Sequence, residues 1–361
     1  MQQRPYPPRL IHSNRANAIA FPAEPGITIP RAWSPDLLMR HLLAACLLAL
    51  AACSGPNDPT ATASTDAATP PKAPAAEPVS TVRVIGEEPL SARLDCLRKS
   101  GGVLLIGHRG GPTRDYPENS IETFQRTYDA GTHAMEIDIS ETKDGVLILM
   151  HDDDLARTTT GEGLVADHTL DEIQKLKLET YQKTTTFAPP TLEAALAWAM
   201  KNNAVLELDK KKSAKWEPII AAVRAAKAEN NVFLVTYTDD QAAEVHMLAP
   251  DLIITATVND PAHLDALVAS GVEADHLVAW TGVTKPDPAL WASLAQRGVE
   301  SAFGTLGPRA SSLDTRYWDD GDGSEYNTLT SGGLAILVTD ITDKTARQLA
   351  GLRQKSAACG L

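Results

Sequence analysis

From Leu104 to the C-terminus, short runs of Val, Ile and Leu alternate with stretches of helical periodicity. The runs predict strands at 103–107, 134–140, 146–150, 205–209, 232–236, 252–256, 300–303 and 335–339. Nearly continuous apolar strands indicate a parallel sheet covered on both faces, because a half-solvated strand would alternate apolar with polar. Eight such strands over about 260 residues fit an α/β fold of the (β/α)8 TIM-barrel type, which works at the C-terminal ends of its strands. One link is irregular. Residues 141–145 are too few for a helical crossover between the second and third strands. Either that link distorts the barrel or the third run is displaced, and a doubly wound open sheet is the alternative fold.

Three of the runs end in chemically competent side chains. The first delivers His108 and Arg109, the second carries Glu136 and Asp138, and the third delivers His151 and Asp152. Residues two apart on a strand share a face, so Glu136 and Asp138 point the same way. Two carboxylates there repel unless a cation joins them, and hard oxygen ligands suit Ca2+ or Mg2+. Imidazoles titrate near neutral pH, so His108 and His151 suit proton transfer. Arg109 offers a planar, permanently charged fork for phosphate, or alternatively for a structural ion pair. On the fourth strand Glu207, Asp209 and Lys211 again share one face. Glu118 and Asn119 precede a helix, where Asn119 or Ser120 can serve as N-cap.

The order of these motifs carries a family resemblance. HRG at 108–110, PENS at 117–120, EIDISETKDG at 136–145 and HD at 151–152 resemble the glycerophosphodiester phosphodiesterase family, with Ser120 in place of its usual Thr. The resemblance implies metal-dependent hydrolysis of small glycerophosphodiesters to glycerol 3-phosphate and an alcohol. It implies that His108 and His151 form the acid–base pair, the substrate's own adjacent hydroxyl attacking phosphorus. Arg109 and Lys211 would hold phosphate. One divalent ion, Ca2+ or Mg2+, would sit on Glu136, Asp138 and Asp209, with Glu207 as substitute ligand if the register slips. Glu118 and Asn119 would stand around the site. Phospholipase D-like cleavage of intact (lyso)phospholipids is the alternative chemistry, and a non-catalytic surface-binding lipoprotein the alternative class. An amidohydrolase-like barrel would show HxH on its first strand, and this chain has HRG.

The N-terminal quarter reads as processing signal and tether. Met39, Arg40 and His41 form a basic start, 42–48 are apolar, and Leu50-Ala51-Ala52-Cys53 resembles the lipobox of bacterial lipoproteins. The apolar stretch is too short to span a bilayer, which needs about 20 residues. Residues 1–52 are therefore read as a signal peptide with an N-terminal extension, Met39 being the expected start. Cys53 is the expected lipidation site. Residues 53–89, rich in Pro, Ala, Thr and Ser, form a disordered tether, and 90–361 the catalytic domain. Ser54 is compatible with outer-membrane sorting. The expected location is a membrane-anchored lipoprotein facing the periplasm, touching membrane through its lipid alone. In that oxidising compartment Cys96 and Cys359, at the two ends of the domain, are expected to pair.

A formal net charge of −13 excludes the basic footprint of a nucleic-acid binder. Near the C-terminus, Trp280 and Phe303 compete for a place lining the site. The acidic, aromatic segment 314–327 is expected to form a lid or rim loop, with its DDGDG a solvated turn.

Overall fold

The structure, a computed structural model, describes residues 88–361. The expected signal peptide, the lipidation site Cys53 and nearly all of the tether lie outside the described residues. Helix α1 (Leu90–Ser100) precedes β1 (Leu104–Gly107), helix α2 (Ile121–Asp129), β2 (Ala134–Glu141) and β3 (Leu147–Leu149). Six further strands follow: β4 (Val205–Lys210), β5 (Val232–Val235), β6 (Ile253–Thr257), β7 (Leu277–Trp280), β8 (Glu300–Gly304) and β9 (Ile336–Thr339). Among the described residues, eight parallel strands close into a ring, β1-β2-β4-β5-β6-β7-β8-β9 and back to β1. The fold is a (β/α)8 TIM barrel.

The third predicted strand is the displaced one. β3 runs antiparallel to the end of β2, pairing Ile139 with Leu149 and Ser140 with Ile148. The five-residue link allows only this hairpin, so β3 is an appendage outside the ring. The missing barrel strand is β7, whose four residues include Trp280. Trp280 packs on the barrel interior, whereas Phe303 faces the outer helices. Trp280 therefore takes the interior position.

Register sorts the barrel side chains into two sets. Leu104, Ile106, Ala134, Val205, Phe233, Ile253, Val278, Ala302, Ile336 and Val338 fill the interior. Alternate residues such as Ile137, Leu208, Leu234 and Ile254 pack outward against the helices. Both sets are buried, which explains the continuous apolar runs. At the N-terminal end of the barrel, Leu90, Leu94 and Leu97 of α1 complete the interior cluster. Arg93 donates to the Asn230 carbonyl at 2.8 Å, and Arg98 meets Glu300 at 2.8 Å. α1 thus closes the floor and leaves the opposite end open.

Segment 314–327 is not a lid. It contributes to two short helices, Leu313–Tyr317 and Glu325–Ser331, that pack with Phe303 and Leu337 outside the barrel. Asp314 and Tyr326 are fully buried there, while 319–322 of the DDGDG turn are exposed. No helix among the described residues is long and apolar enough to cross a membrane.

Cys96 on α1 and Cys359 are joined by a disulfide with Cα atoms 5.6 Å apart, closing a sequence separation of 263 residues. Such a long loop restricts the unfolded chain strongly, so reduction is expected to cost about 2–4 kcal/mol. Urea unfolding of the mature protein with and without dithiothreitol checks this. An unchanged midpoint would contradict it.

Candidate active site

Period-two alternation places an acidic trio in the barrel mouth. Along β2 the inward positions are Ala134, Glu136 and Asp138, and along β4 they are Val205, Glu207 and Asp209. The strands pair Glu136 with Glu207 and Asp138 with Asp209. Glu136, Asp138 and Asp209 are all buried and each offers an oxygen within 4.8 Å of the others.

Few groups offset this charge. Lys211 reaches Asp138 at 2.5 Å and Asp209 at 2.6 Å. The Arg109 backbone N–H donates to Glu136 at 2.7 Å. Asn119 donates to Asp138 at 2.6 Å and Tyr237 to Asp209 at 2.6 Å. Burial, then the neighbouring charges of Asp138 and Asp209, pushes the Glu136 carboxyl well above the usual range. Burial also works to raise Asp138, but Lys211, His151 and Asn119 outweigh it and hold Asp138 low. The second Asp209 oxygen, Oδ1, is buried with no hydrogen-bond partner. An orphaned oxygen beside two more carboxylates fits a hard divalent cation, which would supply the charge that Lys211 alone does not. Glu207, beside Glu136 in register, instead accepts from Thr255 at 3.0 Å and does not join the trio.

Each histidine is fixed through one ring nitrogen. His108 Nδ1 lies 2.7 Å from Asp340, and His151 Nδ1 lies 2.5 Å from Asp152. The Nε2 atom of each is the nitrogen left for proton exchange. Asp340 is itself held by the Gly307 N–H at 3.0 Å, and its own N–H donates to Asp314 at 2.7 Å. Thr339 donates to Asp314 at 2.8 Å and Tyr326 donates to it as well. Segment 314–327 therefore braces the carboxylate that orients His108.

A chain of ion pairs borders the site. Asp152 accepts from Arg157 at 2.5 Å, and this pairing, opposed by burial and aided by His151, keeps the Asp152 carboxyl far below the usual range. Arg157 in turn grips both oxygens of Glu118 at 2.8 and 2.9 Å. Glu118 also meets Arg109 at 3.1 Å, while Arg109 Nε is buried without a hydrogen bond, 3.8 Å from Asp138. Arg109 holds φ +50°, followed by Gly110 at +83° and Gly111 at +80°. A left-handed Arg is costly, and such strain persists where surrounding contacts over-determine it. A β-carbon on Gly110 would strike the Phe124 ring of α2. Asn119 also has positive φ, at +56°, and reaches the trio while Ser120 caps α2. Beside His108 lies a cavity of about 820 Å3, bordered by Arg109, Glu118, Arg157 and Asp340.

The expected site residues His108, Arg109, Glu118, Asn119, Glu136, Asp138, His151, Asp209 and Lys211 thus meet at one end of the barrel. Lys211 is engaged with carboxylates in this state. Asp340, Arg157 and Tyr237 were not among them. Asp340 had a signal, since it lies two residues beyond the inward Val338. Tyr237 continues the inward parity of Phe233 on β5, whereas Arg157 lies in an irregular segment where no periodicity aims a side chain.

The glycerophosphoryl diester phosphodiesterase family model matches residues 108–219. A glycerophosphodiester phosphodiesterase of Caldanaerobacter subterraneus subsp. tengcongensis is 32% identical over 159 residues, 42% of this chain and 65% of its own length. Human glycerophosphodiester phosphodiesterase 1 is 33% identical over 136 residues, 36% of this chain and 41% of its own. The chain spans less than two thirds of the length of these curated relatives. The crystal structure of a glycerophosphoryl diester phosphodiesterase from Parabacteroides distasonis matches with a TM-score of 0.64 at 28% identity, over 73% of this chain and 93% of that one.

Glu207 gives a test of the interior electrostatics. Burial pushes its carboxyl up from the ordinary 4.5 to about 7. A raised folded-state value means the stability it contributes is full below 4.5 and lost as pH rises through about 7. Glu207→Gln keeps the Thr255 contact without the ionisation. In EDTA, unfolding free energies of the two proteins should coincide near pH 4, with the Gln variant ahead by up to about 3 kcal/mol at pH 8. Parallel curves would contradict the assignment.

Proposed function

We propose, for a chain that belongs to the glycerophosphodiester phosphodiesterase family, that it hydrolyses glycerophosphodiesters to glycerol 3-phosphate and an alcohol by metal-dependent histidine acid–base catalysis. The observation that carries this reading is the buried acidic trio with its unpartnered Asp209 oxygen, at the same barrel end as two histidines each anchored by a carboxylate. Glu136, Asp138 and Asp209 would hold one Ca2+ or Mg2+, which when bound supplies positive charge for the phosphoryl oxygens. Arg109 Nε, buried and unpartnered, supplies a donor for a phosphoryl oxygen at the same place. Lys211 supplies a second cation once it is released from the carboxylates. His108 and His151 divide the proton transfers: one takes the proton of the substrate's adjacent hydroxyl as it attacks phosphorus, while the other gives a proton to the departing alcohol. Water then opens the cyclic phosphate to glycerol 3-phosphate with the two roles exchanged. Asp340 and Asp152 keep each ring in the orientation and tautomer that this needs.

The proposed setting is the periplasmic face of a membrane, with the barrel held there through lipidated Cys53 and the tether 53–89. The Cys96–Cys359 disulfide is consistent with an oxidising compartment.

Glycerophosphocholine hydrolysis by the mature protein is the direct assay. Activity should vanish in EDTA, return with Ca2+ or Mg2+, and fall about 10^2–10^4-fold in kcat for His108→Ala, the usual worth of a general acid or base. Activity indifferent to chelation and to the substitution would overturn the reading.

A further inference from the structure

The cavity beside His108 has an uneven charge lining. Two of its carboxylates are charge-paired, Glu118 with Arg109 and Arg157 and Asp340 with His108, while Glu179 accepts only from the Thr184 hydroxyl, so two arginines face one uncompensated carboxylate. Arg109 and Arg157 are neutralised by these and by Asp152. Two other arginines on the wall are not. Arg114 bonds only a neutral amide oxygen, that of Gln182, at 2.8 Å. Arg309 makes no hydrogen bond or ion pair with any described residue. Both arginines are exposed; the one carboxylate whose charge acts on Arg114, that of Asp115, is itself paired with Lys183.

The position of the cavity is equally specific. It touches His108 but neither His151 nor any of the trio, so it extends away from where phosphorus would sit. At about 820 Å3 it is far larger than a glycerol moiety requires and matches the range of sites for whole small-molecule ligands.

Resting on the phosphodiesterase reading above, we propose that this cavity receives the alcohol half of the diester, and that Arg114 and Arg309 select alcohols carrying a negative charge of their own. The anion is a carboxylate or a second phosphodiester, both of which a guanidinium fork binds through paired N–H donors. A cationic group such as choline meets a rim whose two arginines outweigh Glu179, and is disfavoured. Exposed charge pairs are individually modest, so the discrimination is one of rate and affinity, and it weakens as salt screens the rim.

Matched substrate pairs test this. Glycerophosphoserine against glycerophosphoethanolamine isolates a carboxylate, and bis(glycerophospho)glycerol against glycerophosphoglycerol isolates a second diester. The readout is the ratio of kcat/KM within each pair, for wild type, Arg309→Gln and the double variant Arg114→Gln/Arg309→Gln. The wild-type ratio should favour the more anionic member by about tenfold in at least one pair, the size expected of two exposed charge-assisted contacts. It should fall toward unity in the double variant, with the single variant between. The pair that responds identifies which anion is selected. Ratios near unity in wild type, or ratios unmoved by the substitutions, would overturn the proposal. If no diester is hydrolysed, the phosphodiesterase reading fails instead, and calorimetric dissociation constants for the same compounds decide the subsite by the same ratios.

Discussion

Three buried carboxylates share one small volume at the mouth of this barrel, and much of the local structure exists to tolerate them. Two like charges about 4 Å apart repel by roughly 4 kcal/mol at an effective dielectric of 20. Glu136, Asp138 and Asp209 are therefore costly to keep ionised together against Lys211 and the more distant Arg109. The protein answers in two ways. It lends donors from Asn119, Tyr237 and the Arg109 backbone, and it pushes the Glu136 carboxyl toward its neutral form. A divalent cation resolves the same conflict more completely, which is why the metal reading and the electrostatic one coincide.

The strained turn after β1 follows from this arrangement. To aim its N–H at Glu136, Arg109 must adopt a left-handed conformation, and the two glycines after it must follow. Gly110 is further confined by Phe124 of α2. From the same turn, Arg109 joins Glu118, Arg157 and Asp152 in a continuous line of opposite charges that ends on His151. On the other side, His108 is steadied by Asp340, and Asp340 by buried Asp314. The two histidines are thus positioned from different layers of the molecule, one by the segment after β3 and one by the helices outside β8 and β9.

Much of the site was legible in the sequence because strands obey a period of two. That rule puts Glu136 with Asp138, and Asp209 with Lys211, on one face whatever the tertiary detail. It would have reached Asp340 too, had the inward parity of Val338 been followed past the strand end. The barrel itself was legible in kind but miscounted in one strand. Residues 146–150 are as apolar as a barrel strand, since β3 packs between the end of β2 and the segment around Leu155 and Ile173. The true strand Leu277–Trp280 is four residues long and was not among the predicted runs. Segment 314–327 misled through composition. Its acidic, aromatic character suggested solvent, yet Asp314 and Tyr326 are buried because they satisfy each other. The same inward parity, followed from Phe233 past the end of β5, reaches Tyr237, whereas Arg157 acts from an irregular segment where spacing says nothing about direction.

The central claim, that the trio is a cation site, is tested most directly by anomalous diffraction from crystals grown with Mn2+ standing in for the native ion. The account predicts a single strong peak bounded by oxygens of Glu136, Asp138 and Asp209, with Lys211 moved away from the carboxylates. No peak at the trio, or binding confined to the exposed group of Glu273, Asp275 and His276, would contradict it.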